Sequence, residues 1–221
     1  YPLSYRPHFI DSITMHNTKK SLPNWLIISL FSIWITATLF GLWWFQQANL
    51  KSFITPQDDT MFYQPMAIES LFTPYIKELP APLENQQTLI HFWKPDCLCN
   101  RVSQRHFSRL LANFSAQELR IVIIAHPDSR DEEIEQLQAL NGDRLSIIKA
   151  NNTLRSLPSS PALALINEEN KLGYFGPYGF GAFCTSNEEG FLSSIVNQMA
   201  SDAPLNTFTN VIGKGCFCSW Q

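Results

Sequence analysis

Five cysteines carry the chemistry that the chain could perform. Two pairs have the spacing Cys-x-Cys: Cys97-Leu98-Cys99 near the middle and Cys216-Phe217-Cys218 near the end, while Cys184 stands alone after the run GPYGFGAF. A cysteine thiolate is the nucleophile of disulfide exchange and also a soft-metal ligand, so two such pairs point to a dithiol relay or to a thiolate metal site. The plainer alternative for the tail pair is a structural disulfide that staples the end of the chain. Cys97 follows the apolar run TLIHFW and opens a helix. Free N–H groups and the positive end of the helix dipole at that position favour a thiolate over a thiol. Cys97 is therefore the expected nucleophile. Cys99 is the expected resolving thiol, although a ring closed over one intervening residue departs from relaxed disulfide geometry.

The elements that must position these residues follow from hydrophobic spacing. Ile68, Leu71, Phe72, Tyr75 and Ile76 repeat at helical intervals up to Pro80. TLIHFW (88–93) reads as a buried strand, and Val102, Phe107, Leu110, Leu111 and Phe114 mark one face of the helix after the cysteines. RIVIIA (120–125) and LSIIKA (145–150) are two further strands, separated by the helix EEIEQLQAL, which ends at Asn141-Gly142. After LPSSP, the runs ALALIN and KLGYFG form a hairpin, and FLSSIVNQM (191–199) is the closing helix. The order β, α, β, α, β, hairpin, helix calls for an α/β fold with a largely parallel sheet covered on both faces. Because the hairpin's second strand returns to the end of the sheet that carries Cys97, the loop 176–184 and Cys184 are expected at the rim of the reactive centre. An inert thiol in an irregular loop is the alternative.

At this point the sequence resembles the thioredoxin superfamily, in which a strand ending in Phe-Trp leads through a short turn into a Cys-x-x-Cys helix start. Here it reads Phe92-Trp93-Lys94-Pro95-Asp96-Cys97-Leu98-Cys99, and Ser160-Pro161 before ALALIN resembles that family's cis-proline loop. The resemblance spans about residues 67–200. It implies a thioredoxin-like fold, a central mixed sheet with helices on both faces, and a peptide-binding edge shaped by Pro161. The helix and strand between 131 and 150 resemble the insertion of membrane-anchored bacterial members. The whole layout is similar to uncharacterised membrane-anchored thioredoxin-like proteins of Gram-negative bacteria. The chain departs from the family in having Cys-x-Cys. It also has His91 where thioredoxins carry a buried acid that helps to move the resolving cysteine's proton. An imidazole with a pKa nearer neutrality would serve that role, and a hydrogen-bonded core histidine is the alternative.

Other polar residues have simpler explanations. His126 ends a parallel strand, which would place it near the rim of the reactive centre, but turn chemistry is the plainer explanation of His126-Pro127; His106 beside Arg105 fits a solvated helix face, and Asp131-Glu132-Glu133 fits the acidic first turn of a helix. There is no Ser/His/Asp signature, P-loop or dinucleotide-binding glycine pattern. A net charge of -3 with scattered Lys and Arg excludes the basic stripe that nucleic-acid binding needs.

Trp25 to Phe45 is an uncharged apolar stretch that spans about 31 Å as a helix, against roughly 30 Å of bilayer hydrocarbon. Tryptophans lie at both its ends and Lys19-Lys20 precede it, so a single-pass span with a cytoplasmic N-terminus is expected. A cleaved signal peptide is the alternative. The expected organisation is a short cytoplasmic segment over 1–24 and a transmembrane helix over 25–45. A linker over 46–66, a thioredoxin-like domain over 67–201 and a cysteine-containing tail over 202–221 follow. Met15 is the expected native start, and residues 1–14 are assigned no function.

These observations predict a periplasmic thiol–disulfide oxidoreductase of the bacterial inner membrane. Its partners would be protein dithiols or disulfides and it would need no cofactor. In that reading Cys97 attacks, Cys99 resolves, and Cys184, Cys216 and Cys218 are secondary redox groups. The competing expectations are a copper- or zinc-binding assembly factor using Cys97, Cys99 and Cys184, and a redox-inert protein-binding module.

Overall fold

The computed structural model describes residues 23–54, 61–151, 154, 156–182, 184, 190–201 and 207–221. Lys19, Lys20 and Met15, and with them most of the expected cytoplasmic segment, lie outside the described residues. The chain divides into two compact units, 1–44 and 45–221.

The first unit holds most of α1 (Asn24–Asn49), which is long and apolar enough to cross a membrane. Ser29, Thr36 and Thr38 donate their hydroxyls to the carbonyls of Trp25, Ser32 and Trp34, at 2.8, 2.9 and 2.8 Å. Each of these three hydroxyls is thus satisfied within the helix, as an apolar surrounding requires.

The second unit begins with β1 (Lys51–Ser52) and a 3-10 turn at Met61–Tyr63, then α2 (Pro65–Ile76). Next come β2 (Gln87–Trp93), α3 (Leu98–Asn113), β3 (Leu119–Ala125), α4 (Asp131–Asn141) and β4 (Leu145–Lys149). The short β5 (Ser159–Ser160) precedes the hairpin β6 (Ala162–Ile166) and β7 (Leu172–Gly176), and α5 (Phe191–Met199) follows. The last segment adds β8 (Phe208–Thr209), β9 (Lys214–Gly215) and β10 (Cys218–Ser219).

The main sheet has the order β4-β3-β2-β6-β7-β8. β2, β3 and β4 are parallel, while β6 runs antiparallel to both β2 and β7. Central strands β2, β3 and β6 are buried on both faces, which explains why they read as continuous apolar runs rather than alternating ones. One face packs Ile90, Phe92, Val122 and Ile124 against Ile68, Phe72, Tyr75 and Ile76 of α2. The other packs Leu89, Ile121, Ile123, Leu163 and Leu165 against Phe107 and Leu110 of α3 and Leu192 and Val196 of α5. Three parallel strands with crossover helices, an antiparallel hairpin and a cis Ser160-Pro161 bond at its start make the fold thioredoxin-like.

Two stretches differ from expectation. The segment expected as a linker, 46–66, contributes β1, and its Phe53 and Phe62 are buried in the core. The expected tail is equally integrated: Val211, Phe217 and Trp220 belong to the same cluster. β9 pairs antiparallel with β1, and β10 pairs antiparallel with β5. Isolated aromatic residues anchor these segments without any hydrophobic period, so pattern alone does not reveal them.

Candidate functional site

The site forms where β2 turns into α3. Cys97 is the N-cap residue of α3, and Cys99 lies in the first turn. Asn100, next along that turn, donates through Nδ2 to the Lys94 carbonyl (2.5 Å) and to Ser160 Oγ (3.2 Å). Ser160 in turn donates to the Phe92 carbonyl at 3.2 Å. These bonds hold β5 and the cis proline against the helix start, and the Cys97 sulfur sits 3.6 Å from the Ser160 carbonyl oxygen.

Cys97 and Cys99 are not bonded to each other. Cys97 is joined to Cys218 and Cys99 to Cys216, with Cα–Cα distances of 5.9 and 5.4 Å. The first cysteine of one pair meets the second of the other, which is the matching that antiparallel segments impose. The expected Cys97–Cys99 redox disulfide is thereby corrected. A bond across one intervening residue would close a strained small ring, whereas the returning tail supplies partners at ordinary reach.

Strands and side chains seat the tail around these bonds. Cys218 lies opposite Ser160, and Ser219 opposite Ser159. The Trp220 amide donates to the Pro158 carbonyl at 3.5 Å, and Lys94 Nζ donates to the Ser219 carbonyl at 2.7 Å. Trp220 is fully buried, edge-on to Phe92 and to His126. Phe217 packs edge-on to Phe53 and Phe180. Gly215 allows the close approach of the loop: a Cβ there would meet the Phe217 ring at 2.8 Å and the Gly181 nitrogen at 3.3 Å. With the tail in place Cys97 and Cys99 are both buried, so the expected exposed nucleophile lies under a lid of its own chain.

Lys94 and Trp220 belong to this site although sequence reasoning did not place them there, and so does His126, for which the rim was the weaker of two expectations. His126 Nε2 is 2.5 Å from the Trp220 carbonyl, and its Nδ1 accepts the Asp128 amide at 3.1 Å. Because a carbonyl only accepts, Nε2 carries the proton. The position of His126 at the end of a strand parallel to β2 was the available signal, overshadowed by the turn-forming proline beside it.

His91 faces away from the tail, toward Phe107 and Tyr178. The Tyr178 hydroxyl lies 2.9 Å from its Nδ1, and Ala162 supplies a backbone hydrogen bond. Burial lowers its pKa to about 3, opposed by the Ala162 bond, and the same burial raises that of Tyr178. A protonated tyrosine donating to a neutral imidazole satisfies both groups. The expected near-neutral pKa is therefore corrected, and the geometry is that of a hydrogen-bonded core histidine.

The loop 176–184 does reach the site. The Gly181 amide donates to the Lys214 carbonyl at 2.9 Å, and its carbonyl accepts the Cys216 amide at 3.2 Å. Cys184 itself is fully buried, and its carbonyl lies 2.9 Å from His106 Nε2, so His106 holds this loop rather than only facing solvent. Burial pushes the Cys184 thiol up to about 11, which Arg105 partly opposes. Among the described residues, the three cysteines whose sulfurs all lie within 4.8 Å of one another are Cys97, Cys99 and Cys218. The expected metal trio with Cys184 is corrected accordingly.

Solved structures with similar folds share little sequence. A hypothetical protein from Sinorhizobium meliloti 1021 is 16% identical, with a TM-score of 0.50 over 62% of this chain and 81% of that one. A putative thioredoxin from Neisseria meningitidis is 14% identical, with a TM-score of 0.44 over 56% and 80%. A secreted disulfide oxidoreductase from Mycobacterium tuberculosis is 14% identical, with a TM-score of 0.39 over 52% and 83%. No curated protein matches the chain. A protein-family profile does, over residues 68–220, from β2's preceding helix to the buried Trp220, and the chain belongs to that family, described as a domain of unknown function (DUF6436).

Proposed function

We propose that the chain is a membrane-anchored thiol–disulfide oxidoreductase whose redox centre comprises four cysteines, Cys97 and Cys99 with Cys216 and Cys218. The observation that carries this reading is the pair of disulfides joining a helix-start dithiol to a tail dithiol beside a cis proline. In the reduced form the α3 N-terminus favours the Cys97 thiolate, which attacks a protein disulfide. Cys99 or Cys218 then resolves the mixed disulfide. Pro161 and β5 shape the edge on which the partner lies. α1 serves as the anchor, and Lys19-Lys20 before it support a cytoplasmic N-terminus with the redox domain in the periplasm of a bacterial inner membrane.

The test is reduction and reoxidation of the native chain with mass mapping of each thiol. Cys97, Cys99, Cys216 and Cys218 should become alkylatable under a small dithiol, should close again under a mild oxidant, and should transfer oxidation to or from a test protein. Disulfides that resist the dithiol until the fold is denatured would defeat the reading.

A second reading rests on the clustered sulfurs of Cys97, Cys99 and Cys218: in the reduced state they suit a soft cation such as Cu(I) or Zn(II). Stoichiometric metal on the reduced chain, with loss of thiol exchange, would favour it.

A further inference from the structure

The tail is bound to the site in two ways at once, by strand pairing and by covalent bonds. β10 extends β5 as an antiparallel partner, with Cys218 opposite Ser160, and the same residue is bonded to Cys97. One segment earlier, β9 and Cys216 are held by β1, Gly181 and Cys99. An extended segment added to a sheet edge derives its affinity from main-chain hydrogen bonds and its specificity from alternate side chains. Here the alternate side chains Cys216, Cys218 and Trp220 meet Cys99, Cys97 and the Phe92–His126 wall.

We propose that residues 214–221 are a resident surrogate for the protein's partner, so that the site takes an extended Cys-x-Cys segment followed by an aromatic residue. The partner gains entry by exchanging with the tail. This proposal rests on the redox reading above and deepens it by naming the class of partner.

The exchange balances without an outside oxidant. The first partner thiolate attacks the Cys97 sulfur of Cys97–Cys218; that bond breaks, a bond from the partner to Cys97 forms, and Cys218 leaves as a thiolate that takes up a proton. The second partner thiolate does the same at Cys99, releasing Cys216. Two disulfides break and two form, and the two protons lost by the partner's thiols equal those gained by the tail. The released tail is a dithiol.

The oxidised full-length chain, with no substitution, is treated with an isotopically labelled peptide of the sequence KGCFCSWQ in its dithiol form. A second peptide is identical but N-methylated at the position of Trp220, whose amide donates to Pro158. This change keeps every side chain and both thiols while removing a main-chain bond at the β5 edge. Dithiothreitol at equal thiol concentration is the third probe. The readouts are peptide bonded to Cys97 and Cys99 and alkylation of Cys216 and Cys218.

The proposal expects the unmodified peptide to be captured about tenfold faster than its N-methylated form, the scale of one lost hydrogen bond. Equal capture of the two peptides would overturn it and leave the redox reading intact. Bonds that neither peptide nor dithiothreitol opens without denaturant are inert staples, and that outcome removes both.

Discussion

Ser160, the residue before the cis proline, faces Cys218 across an antiparallel strand pair, while the sulfur of Cys218 is bonded to Cys97. A single residue of the tail is therefore fixed both to the backbone edge of the site and to its helix-start cysteine. The consequences for thiol accessibility, stability and placement in the cell are measurable.

The oxidised chain should show one thiol in denaturant, that of Cys184, among its five cysteines. In the native state that thiol is buried and its pKa is pushed up to about 11. Alkylation by iodoacetamide near neutral pH should therefore be far slower than for an exposed cysteine, whose pKa is about 8.5. Two or more thiols in the unreduced, denatured chain would contradict the crossed pairing.

The two disulfides span 121 and 117 residues, nearly the same loop. Either one alone closes that loop, worth about 5 kcal/mol in the chain-entropy picture, while the other then closes only a small ring, worth about 2 kcal/mol. Replacing Cys97 and Cys218 together by Ser, or Cys99 and Cys216 together, should cost the smaller amount, about 2 kcal/mol, and replacing all four the sum of the two amounts, about 7 kcal/mol. Unfolding in urea without reductant measures all three. Single-pair losses that add up to the loss of all four would refute the redundancy.

His91 sets an acid limit on stability. Its pKa is about 3 in the fold against 6.5 for the ordinary group, so the unfolded chain binds the proton more readily. The stabilisation is complete above pH 6.5 and is lost as the pH falls toward 3, with a slope of up to about 1.4 kcal/mol per pH unit. A His91→Gln variant should lack this slope. Comparing the two proteins between pH 6.5 and 5, above most carboxylate titrations, isolates it; identical slopes would mean that the imidazole takes up its proton as readily in the fold as in the unfolded chain.

Placement is tested by fusing a reporter that works only in the cytoplasm after Gln221. The uncharged α1 and the preceding Lys19-Lys20 predict a silent fusion. Cytoplasmic activity there would reverse the orientation.

The sheet and its helices were legible because buried parallel strands and amphipathic helices write long patterns: TLIHFW, RIVIIA and the Val102–Phe114 face all lie where the fold has them. The hairpin and the Ser160-Pro161 turn were legible through turn chemistry and resemblance. The tail's docking was not. β9 and β10 are two residues each, too short for any period, and single aromatics such as Phe53 and Trp220 carry the packing. Cysteine spacing gives candidate partners but never their pairing. His126 was legible as a rim candidate from its strand end, but its partner was not, being a backbone carbonyl 94 residues away.

The crossed bonds also fix how many electrons the domain can hold. An ordinary dithiol pair exchanges two, whereas this centre needs four electrons and four protons to open fully, supplied by two molecules of a small dithiol. After the first two electrons one bond still moors the tail, so the freed cysteine and its former partner stay side by side. The half-reduced chain is thus a distinct oxidation level, able to accept two more electrons or to give back the first two without releasing the tail.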